Sequence, residues 1–201
     1  QRKRDSIVAL AEKEWGATRS SVITRIFGRK ELIPVEKVCI LSSIWKRDSL
    51  TSVFLSHLAK LKERISSIEI ECLIVGSEGE KTKRMVENFG HTYLESENYP
   101  LSKKWDSGLK RSRLFEPDAV VILGSDDFIS QETLLGLIQS ISEGRLMTGL
   151  MDMHILDSRR NRLYHWNGYV SSNSNRRWET IGLARCLSRH LLERVDFSLW
   201  G

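Results

Sequence analysis

Short apolar runs alternate with amphipathic segments along most of the chain. The strongest run, Ala-Val-Val-Ile-Leu at 119–123, is continuous and rich in β-branched residues, which is typical of a strand buried on both faces. Runs at 38–44 and 68–75 predict two further buried strands. A short strand is predicted near 91–94, and helices are predicted at about 50–61, 81–89, 101–114, 131–141 and 183–194. This alternation predicts an α/β fold with a mainly parallel, doubly wound sheet.

The two ends of this pattern differ from its middle. Residues 1–37 have apolar residues at helical spacing on both sides of Gly16, so we expect a helical N-terminal extension ahead of an α/β domain over 38–201. Between 146 and 169, short strands interrupted by polar residues predict a small antiparallel β excursion with hairpins.

Composition narrows the class of protein without choosing a function. Of the 201 residues, 40% are hydrophobic and 28% charged, which fits one sizeable core and excludes a disordered tail. The net charge of +5 favours an anionic partner, whether nucleic acid, nucleoside diphosphate or membrane surface. Three widely spaced cysteines favour free thiols in a reducing compartment, so we expect a cytoplasmic protein. No apolar run approaches the roughly 18 residues that a transmembrane segment needs.

Polar residues after the predicted strands are the first candidates for chemistry, because ligands of open α/β sheets bind beyond the carboxyl ends of the strands. The sharpest case is Gly124-Ser125-Asp126-Asp127, directly after the strongest strand. Two adjacent carboxylates there repel each other and lose solvation unless a cation or several donors offset these effects. Mg²⁺ and Mn²⁺ prefer such oxygen ligands, so the acid pair predicts a divalent-metal site. The alternative is a turn that caps the helix beginning at Gln131.

Four segments carry a resemblance to a known enzyme family: 38–47, 70–79, 101–109 and 124–127. They resemble, in this order, the opening strand, the second strand with its acidic turn, the helix start before the metal-binding strand and the Asp-X-Asp motif of family 2 glycosyltransferases, which have the GT-A fold. The resemblance covers about 38–200. It implies a metal-dependent glycosyltransferase that moves a sugar from a nucleotide-diphosphate donor to an acceptor hydroxyl with inversion, using Mn²⁺ or Mg²⁺.

The resemblance also implies roles for individual residues. It assigns Asp127 to the metal as the second acid of the motif. The chain departs from the family at Ser125, which stands in place of the first acid, the one that contacts the ribose in the family. The residues that it implies for nucleotide-sugar binding are Ser43, Trp45, Arg47, Glu78, Lys104, Asp106, Ser125 and Asp126. His154, in the next predicted strand, is a further candidate metal ligand.

An inverting transfer needs a general base that takes the proton of the acceptor hydroxyl. In the family this base lies in a Glu-Asp-type pair well downstream of the metal motif. Residues 185–197 resemble the helix before that pair, so the resemblance places the pair just past Gly201, and we expect the catalytic domain to be truncated at its C-terminus. Within the chain the candidates are Asp152, Glu179 and Asp196, of which Asp152 is favoured for its position near the reaction centre.

Aromatic residues at the end of the β excursion are candidates for binding a saccharide or another hydroxyl-bearing acceptor. Aromatic faces pack on sugar rings, and arginine supplies directional hydrogen bonds. These features predict an acceptor site at Trp166, Tyr169, Arg177 and Trp178. For Trp166 and Tyr169 the alternative is cross-strand packing within a hairpin.

Three other functions remain open from the sequence. A nucleotidyltransferase has the same kind of sheet and acidic metal pair, but it usually carries a glycine-rich loop where this chain has 42–47. A nucleic-acid-binding module has some support in the helix-turn-helix-like order of Ala11, Gly16 and Val22. Their spacing is one residue too long, so no stable nucleic-acid partner is expected. The third alternative is an inactive sugar-nucleotide-binding domain that lacks the base.

Overall fold

The computed structural model describes residues 32–169, 176 and 179–200, with a compact unit that begins at Pro34. The helices predicted for the N-terminal extension fall on residues 1–31 and lie outside the described residues. The same is true of two candidate acceptor residues, Arg177 and Trp178. The division of the chain at 37 and 38 therefore stays a prediction.

In the described residues, eight strands form two sheets. They are β1 (Lys37–Ser43), β2 (Glu69–Gly76), β3 (Thr92–Glu95), β4 (Ala119–Gly124), β5 (Met147–Thr148), β6 (Met153–Asp157), β7 (Arg162–Trp166) and β8 (Arg185–Ser188). The main sheet has the order β3-β2-β1-β4-β8-β5, and β6 and β7 form a separate antiparallel pair. Strands β1 to β4 pair in parallel, whereas β8 is antiparallel to both of its neighbours. The predicted α/β fold with a mainly parallel sheet and a small antiparallel excursion is confirmed.

Helices cover both faces of the main sheet. In the part of the chain that the structure describes, they are α1 (Asp48–Arg64), α2 (Glu80–Asn88), α3 (Leu101–Ser112), α4 (Gln131–Ser142) and α5 (Arg189–Arg194), with a 3-10 turn at Arg113–Phe115. Alternation along β1 directs Val38 and Ile40 to one face, and Cys39 and Leu41 to the other. Residues of α1, α2 and α4 pack on the first face, and residues of α3 and α5 pack on the second. The sheet is therefore doubly wound, as predicted.

One predicted helix is wrong in its first half. Residues 183–194 are predicted as a single helix, but Arg185–Ser188 form β8 and only Arg189–Arg194 are helical. Cys186 and Leu187 are buried on opposite faces of the sheet, as a strand between two others requires. A four-residue segment is too short to show the periodicity that distinguishes a buried strand from a helix. The segment 185–197, which resembles the family helix, is therefore helical only over Arg189–Arg194.

The three cysteines, Cys39, Cys72 and Cys186, are buried and free, which agrees with the prediction of unpaired thiols. Burial raises the pKa of both Cys72 and Cys186 to about 12, so these thiols are rarely ionised at neutral pH and are poor nucleophiles. The cytoplasmic location stays a prediction. None of the helices in the described residues has the length and apolar character that crossing a membrane requires.

Gly108 lets α3 lie close against the sheet. A Cβ atom added at this position would lie 2.6 Å from Cγ2 of Val75 and 2.7 Å from Cδ1 of Leu41. Because both neighbours belong to the buried core, an added methyl group must displace α3 or strain the two side chains. This close contact positions the helix that carries Lys104 and Asp106.

We expect Gly108→Ala to lower the free energy of unfolding by about 1–3 kcal/mol, the usual effect of overpacking. Gly136→Ala is the matched control, since Gly136 also lies inside a helix but an added Cβ there has nothing within 4 Å. Its gain in helix propensity, about 1 kcal/mol, should raise stability. Urea denaturation measures both variants. Equal effects of the two substitutions would contradict the close contact at Gly108.

Candidate active site

The loops after β1, β2 and β4 meet at one edge of the main sheet. The last residue of β1, Ser43, lies beside Val75 of β2 and Gly124 of β4. The three strand ends that the sequence singles out are therefore neighbours. This edge is where open α/β sheets bind their ligands.

Asp127 is held at the end of β4 by a tight turn. Its amide donates a hydrogen bond to the Gly124 carbonyl oxygen at 3.1 Å, and its Oδ2 accepts one from the Gly124 amide at 2.9 Å. A Cβ atom at Gly124 would lie 2.7 Å from that Oδ2, so the carboxylate occupies the space that a side chain would need. Only one of the two carboxylate oxygens takes part in this turn, which we call the acidic turn (Gly124–Asp127).

Burial raises the pKa of the Asp127 carboxyl above its ordinary value. The neighbouring charge of Asp126 raises it further, and the hydrogen bond from the Gly124 amide acts in the opposite direction. A carboxylate that is destabilised by burial and by a like charge is stabilised by a nearby cation. The electrostatics of the acidic turn therefore favour cation binding.

Arg47 connects the loop after β1 to the acidic turn. Its Nη1 donates to Oδ2 of Asp126 at 2.9 Å, and its Nη2 donates to Oγ of Ser125 at 2.7 Å. The Arg47 and Asp126 side chains are each about half exposed to solvent. Asp126, a candidate donor contact, is therefore already paired with an arginine of the same chain.

A second link joins the loops after β1 and β2. The Lys46 amide donates a hydrogen bond to Oε2 of Glu78 at 2.6 Å, and Lys81 of α2 pairs with Asp48 of α1. These residues line an open groove of about 570 Å³, which we call the loop groove; its lining residues are Lys46, Arg47, Asp48, Ser49, Leu50, Glu78 and Lys81. Three cationic and two acidic side chains give it a net positive lining that suits an anionic ligand.

Lys46 and Lys81 are groove residues that the sequence patterns did not single out, unlike Arg47 and Glu78. Both lysines stand within a few residues of a strand end, and that position is the signal that identifies them. Trp45 is about half exposed, and the Lys46 ammonium lies 4.4 Å from the centre of its ring. A half-exposed indole with a cation over its ring offers a stacking surface for a flat ligand.

Lys104, a candidate donor contact on α3, faces the protein interior. It is fully buried, and its Nζ donates hydrogen bonds to the Ile44 carbonyl oxygen at 2.6 Å and to Oδ1 of Asn98 at 3.1 Å. Burial lowers the pKa of Lys104, against the opposing charges of Glu78 and Glu95. The ammonium therefore ties α3 to the loop after β1. Its contact with a nucleotide-sugar stays a prediction that requires these bonds to be exchanged.

Asp106, the other candidate on α3, anchors the last described residues. Its Oδ2 accepts a hydrogen bond from Oγ of Ser198 at 2.7 Å, and its Oδ1 accepts from the amides of Leu199 at 2.9 Å and Trp200 at 3.1 Å. Burial by itself raises the pKa of Asp106, but these hydrogen bonds outweigh it, so the pKa lies below its ordinary value. A donor contact through this carboxylate stays a prediction.

We expect Asp106 to make stability depend on pH below about 4, the ordinary pKa of an aspartate. Because its pKa is lower in the folded protein than in the unfolded chain, the carboxylate stabilises the fold fully above that pH. The contribution is lost as the pH falls through the folded pKa. Asp106→Asn should therefore be less stable than the parent near neutral pH and should approach it in acid. Thermal unfolding between about pH 2 and 7 measures this, and a constant difference would contradict the assignment.

The favoured base candidate, Asp152, precedes β6 and pairs with a histidine. Its Oδ2 lies 3.0 Å from Nε2 of His165 in β7, and both side chains are about half exposed. Since β5 and β4 are both antiparallel to β8, they point in the same direction. The segment after β5, which leads to Asp152, therefore lies at the sheet edge that carries Asp127.

The other two base candidates, Glu179 and Asp196, lie toward opposite edges of the sheet. Glu179 precedes β8, at the edge where β4 ends, and it accepts a hydrogen bond from Nε of Arg176 at 2.8 Å. Asp196 pairs with Arg113, which stands between α3 and the start of β4. Because β4 starts at the edge opposite Asp127, Asp196 lies toward that opposite edge. A base near Asp127 is better sought in the segments before β6 and before β8.

Trp166 and Tyr169, two candidate acceptor residues, pack against each other. Their ring centroids are 5.2 Å apart and the rings are nearly perpendicular, at 84°. The guanidinium of Arg176 lies 4.0 Å from the centre of the Tyr169 ring and donates to its hydroxyl at 2.6 Å. This contact joins residues three apart in sequence and is not the cross-strand packing of the alternative, because the cross-strand partner of Trp166 is Met153. Acceptor binding stays a prediction.

Among the described residues, no group of three or more His, Cys, Asp or Glu side chains could hold a metal ion. Asp126, Asp127 and His154 are therefore not a three-ligand cluster. His154 instead stacks on its cross-strand partner His165, with ring centroids 4.8 Å apart. A divalent ion at the acidic turn would need oxygen ligands from a substrate or from water, which is usual for Mg²⁺.

Several solved structures share this fold, although no protein-family model and no curated protein matches the sequence. Residues 1–349 of TarS from S. aureus align with a TM-score of 0.57 and 20% identity, over 80% of this chain and 49% of that one. The mannosyltransferase PcManGT from Pyrobaculum calidifontis, solved in complex with GDP-Man and Mn²⁺, aligns with a TM-score of 0.57 and 16% identity, over 94% and 57% of the two chains.

A 4-diphosphocytidyl-2C-methyl-D-erythritol synthase also aligns, with a TM-score of 0.51 and 13% identity, over 81% of this chain and 79% of that one. At these identities the similarity establishes the fold, which glycosyltransferases and cytidylyltransferases share. The chain spans about half the length of the TarS and PcManGT structures, 49% and 57%.

Proposed function

We propose that this chain is the donor-binding part of a glycosyltransferase that moves a sugar from a nucleoside diphosphate to an acceptor hydroxyl, with Mn²⁺ or Mg²⁺ as cofactor. The observation that carries the proposal is the partly buried Asp127 carboxylate beside Asp126, at the end of the central strand β4 and next to the cationic loop groove. The similar fold of a mannosyltransferase solved with GDP-Man and Mn²⁺ supports it. That the whole protein transfers a sugar to an acceptor is likewise proposed.

The acidic turn fits a divalent ion. Its donors are carboxylate oxygens, which Mg²⁺ and Mn²⁺ prefer, and two protein carboxylates with phosphate oxygens and water complete a usual coordination set. The Gly124 amide fixes one oxygen of Asp127, so the carboxylate is oriented before an ion arrives. Asp127 and Asp126 would hold the ion, which when bound supplies positive charge against the leaving diphosphate.

The chain's own residues bind and orient the donor. The cationic side chains of Lys46, Arg47 and Lys81 attract a diphosphate into the loop groove, and the half-exposed indole of Trp45 offers a stacking surface for the nucleobase. Glu78 is held at the groove by the Lys46 amide and accepts hydrogen bonds from the base or the ribose.

The residue that deprotonates the acceptor lies on the β5 side of the acidic turn, away from the loop groove. Asp152 precedes β6 at the edge of the acidic turn, and we assign it the role of general base, which takes the proton of the acceptor hydroxyl on a carboxylate oxygen. His165 Nε2, 3.0 Å from Oδ2, orients that carboxylate. Trp166 and Tyr169 follow on the same hairpin and are proposed to contact the acceptor.

A nucleotidyltransferase is the second candidate, favoured by the synthase that aligns over 79% of its own length. Such an enzyme binds a nucleoside triphosphate and releases pyrophosphate, whereas the proposed glycosyltransferase binds a nucleotide-sugar and releases a nucleoside diphosphate. The two candidates therefore differ in the ligand that stabilises the protein.

Thermal unfolding with a panel of ligands tests the proposal. We expect one of the UDP-, GDP- or dTDP-sugars to raise the melting temperature in the presence of Mn²⁺ and to lose most of this effect without it. Stabilisation by nucleoside triphosphates alone would favour the nucleotidyltransferase. Stabilisation by duplex DNA with steep salt dependence, and by no nucleotide, would contradict both enzymes.

A further inference from the structure

We infer that Arg47 makes metal binding at the acidic turn depend on the nucleotide, a role that rests on the proposed function. Arg47 donates to Oδ2 of Asp126 at 2.9 Å and to Oγ of Ser125 at 2.7 Å. Asp126 is one of the two carboxylates proposed to hold the divalent ion. The guanidinium and the ion therefore compete for the same carboxylate, and their like charges repel each other.

The loop groove offers Arg47 a second anionic partner. Arg47 lines this groove together with Lys46 and Lys81, where we place the diphosphate. A guanidinium binds phosphate oxygens with two parallel hydrogen bonds, as it binds a carboxylate. A diphosphate in the groove therefore draws Arg47 away from Asp126 and frees that carboxylate for the ion.

The exchange requires only rotation of the Arg47 side chain, because the backbone around it is held in place. Arg47 has left-handed dihedral angles, φ 57° and ψ 44°, directly before α1. Its carbonyl oxygen accepts a hydrogen bond from the Thr51 amide at 2.9 Å, and Oγ1 of Thr51 donates to the Lys46 carbonyl oxygen at 3.3 Å. The side chain can thus change partner while the loop stays folded.

Binding of the diphosphate and of the ion is coupled by this exchange. Thermodynamic linkage requires that each ligand strengthens the binding of the other by the same factor. Attraction between a bound ion and the phosphate would supply part of that factor, and Arg47 supplies a second part. Removal of Arg47 should eliminate the second part and leave the first.

Arg47→Gln tests the inference, with Lys81→Gln as the matched control. Lys81 lines the same groove and carries the same charge, but it pairs with Asp48 rather than with Asp126. Binding of Mn²⁺ is measured by electron paramagnetic resonance, first alone and then with saturating UDP and with GDP. Binding of UDP and of GDP alone is measured by calorimetry.

We expect Arg47→Gln to bind Mn²⁺ alone about fivefold more tightly than the wild type, because an exposed competing ion pair is removed. The same variant should bind UDP or GDP alone more weakly, because a phosphate contact is lost. Lys81→Gln should change the affinity for Mn²⁺ alone by less than about twofold. The strengthening of Mn²⁺ binding by the nucleotide should be smaller in Arg47→Gln than in the wild type.

A merely structural Arg47 would give a different pattern. If Arg47 only holds the acidic turn in place, its removal weakens Mn²⁺ and nucleotide together, and that result would overturn the inference. Unchanged Mn²⁺ binding in Arg47→Gln would overturn it as well, with the proposed function intact. Failure of the wild type to bind either Mn²⁺ or any nucleotide would overturn the inference and the proposed function together.

Discussion

Asp127→Asn should lower kcat/KM for sugar transfer by at least about 100-fold, because it removes the carboxylate that we propose for the divalent ion. Charge stabilisation by such an ion is worth several kcal/mol, and about 1.4 kcal/mol corresponds to a factor of ten in rate. The asparagine retains an oxygen that can accept the Gly124 amide, so the acidic turn should stay folded. The Mn²⁺-dependent rise in melting temperature with a nucleotide-sugar should disappear as well.

Asp196→Asn is the matched control for this substitution. It makes the same chemical change at an exposed residue that pairs with Arg113, toward the edge of the sheet opposite Asp127. Both readouts should stay within about twofold of the wild type, as is usual for surface substitutions. Thermal unfolding with Mn²⁺ and a nucleotide-sugar measures the rise in melting temperature, and release of nucleoside diphosphate measures transfer. An equal loss in both variants would contradict the role of Asp127.

Gly124→Ala should weaken Mn²⁺-dependent nucleotide binding and transfer by about 10- to 100-fold, although it removes no functional group. An added Cβ would lie 2.7 Å from Oδ2 and 3.2 Å from Cγ of Asp127, so the carboxylate has to move. The strand cannot yield as easily, since β4 is paired on both sides with β1 and β8. A shift of about 1 Å at a reacting site can cost about 100-fold in rate.

Gly182→Ala is the control for Gly124→Ala. Gly182 precedes β8 at the same edge of the sheet, but an added Cβ there has nothing within 4 Å. Its effect on Mn²⁺-dependent binding should be less than about twofold. Because Gly124→Ala acts through Asp127, the double variant Gly124→Ala/Asp127→Asn should lose no more than Asp127→Asn alone. Additive losses would show that the glycine acts on something other than this carboxylate.

Local patterns were sufficient to predict most of the elements. The run at 119–123 became β4, which pairs on both sides, and the helical spacing at 131–141 became α4. A continuous apolar run and a one-sided apolar face each indicate how a segment is buried. The same patterns were insufficient at 183–194. There a four-residue strand precedes a six-residue helix, and neither is long enough to show its period.

The sequence predicted those parts of the candidate site whose residues are close together in the chain. Asp126 and Asp127 follow their strand directly, so their position at the sheet edge could be read from the order of residues. The partner of Asp126 could not, because Arg47 lies 79 residues away along the chain. Lys104 and Asp106 show the opposite case. Their place in the sequence suggests a ligand contact, yet the folded chain gives their charged groups internal hydrogen bonds.

The sequence by itself determined most of the strands and helices, and it placed two acids at the end of the most buried strand. Only the tertiary structure decided which side chains these acids meet. A periodic pattern records whether a residue is buried, but the pairing of β4 between β1 and β8 brings together loops that are far apart in the chain. That pairing places Arg47 against Asp126 and leaves Asp196 toward the opposite edge. It therefore brings the Asp126 carboxylate together with the guanidinium that, in our proposal, competes with the metal ion for it.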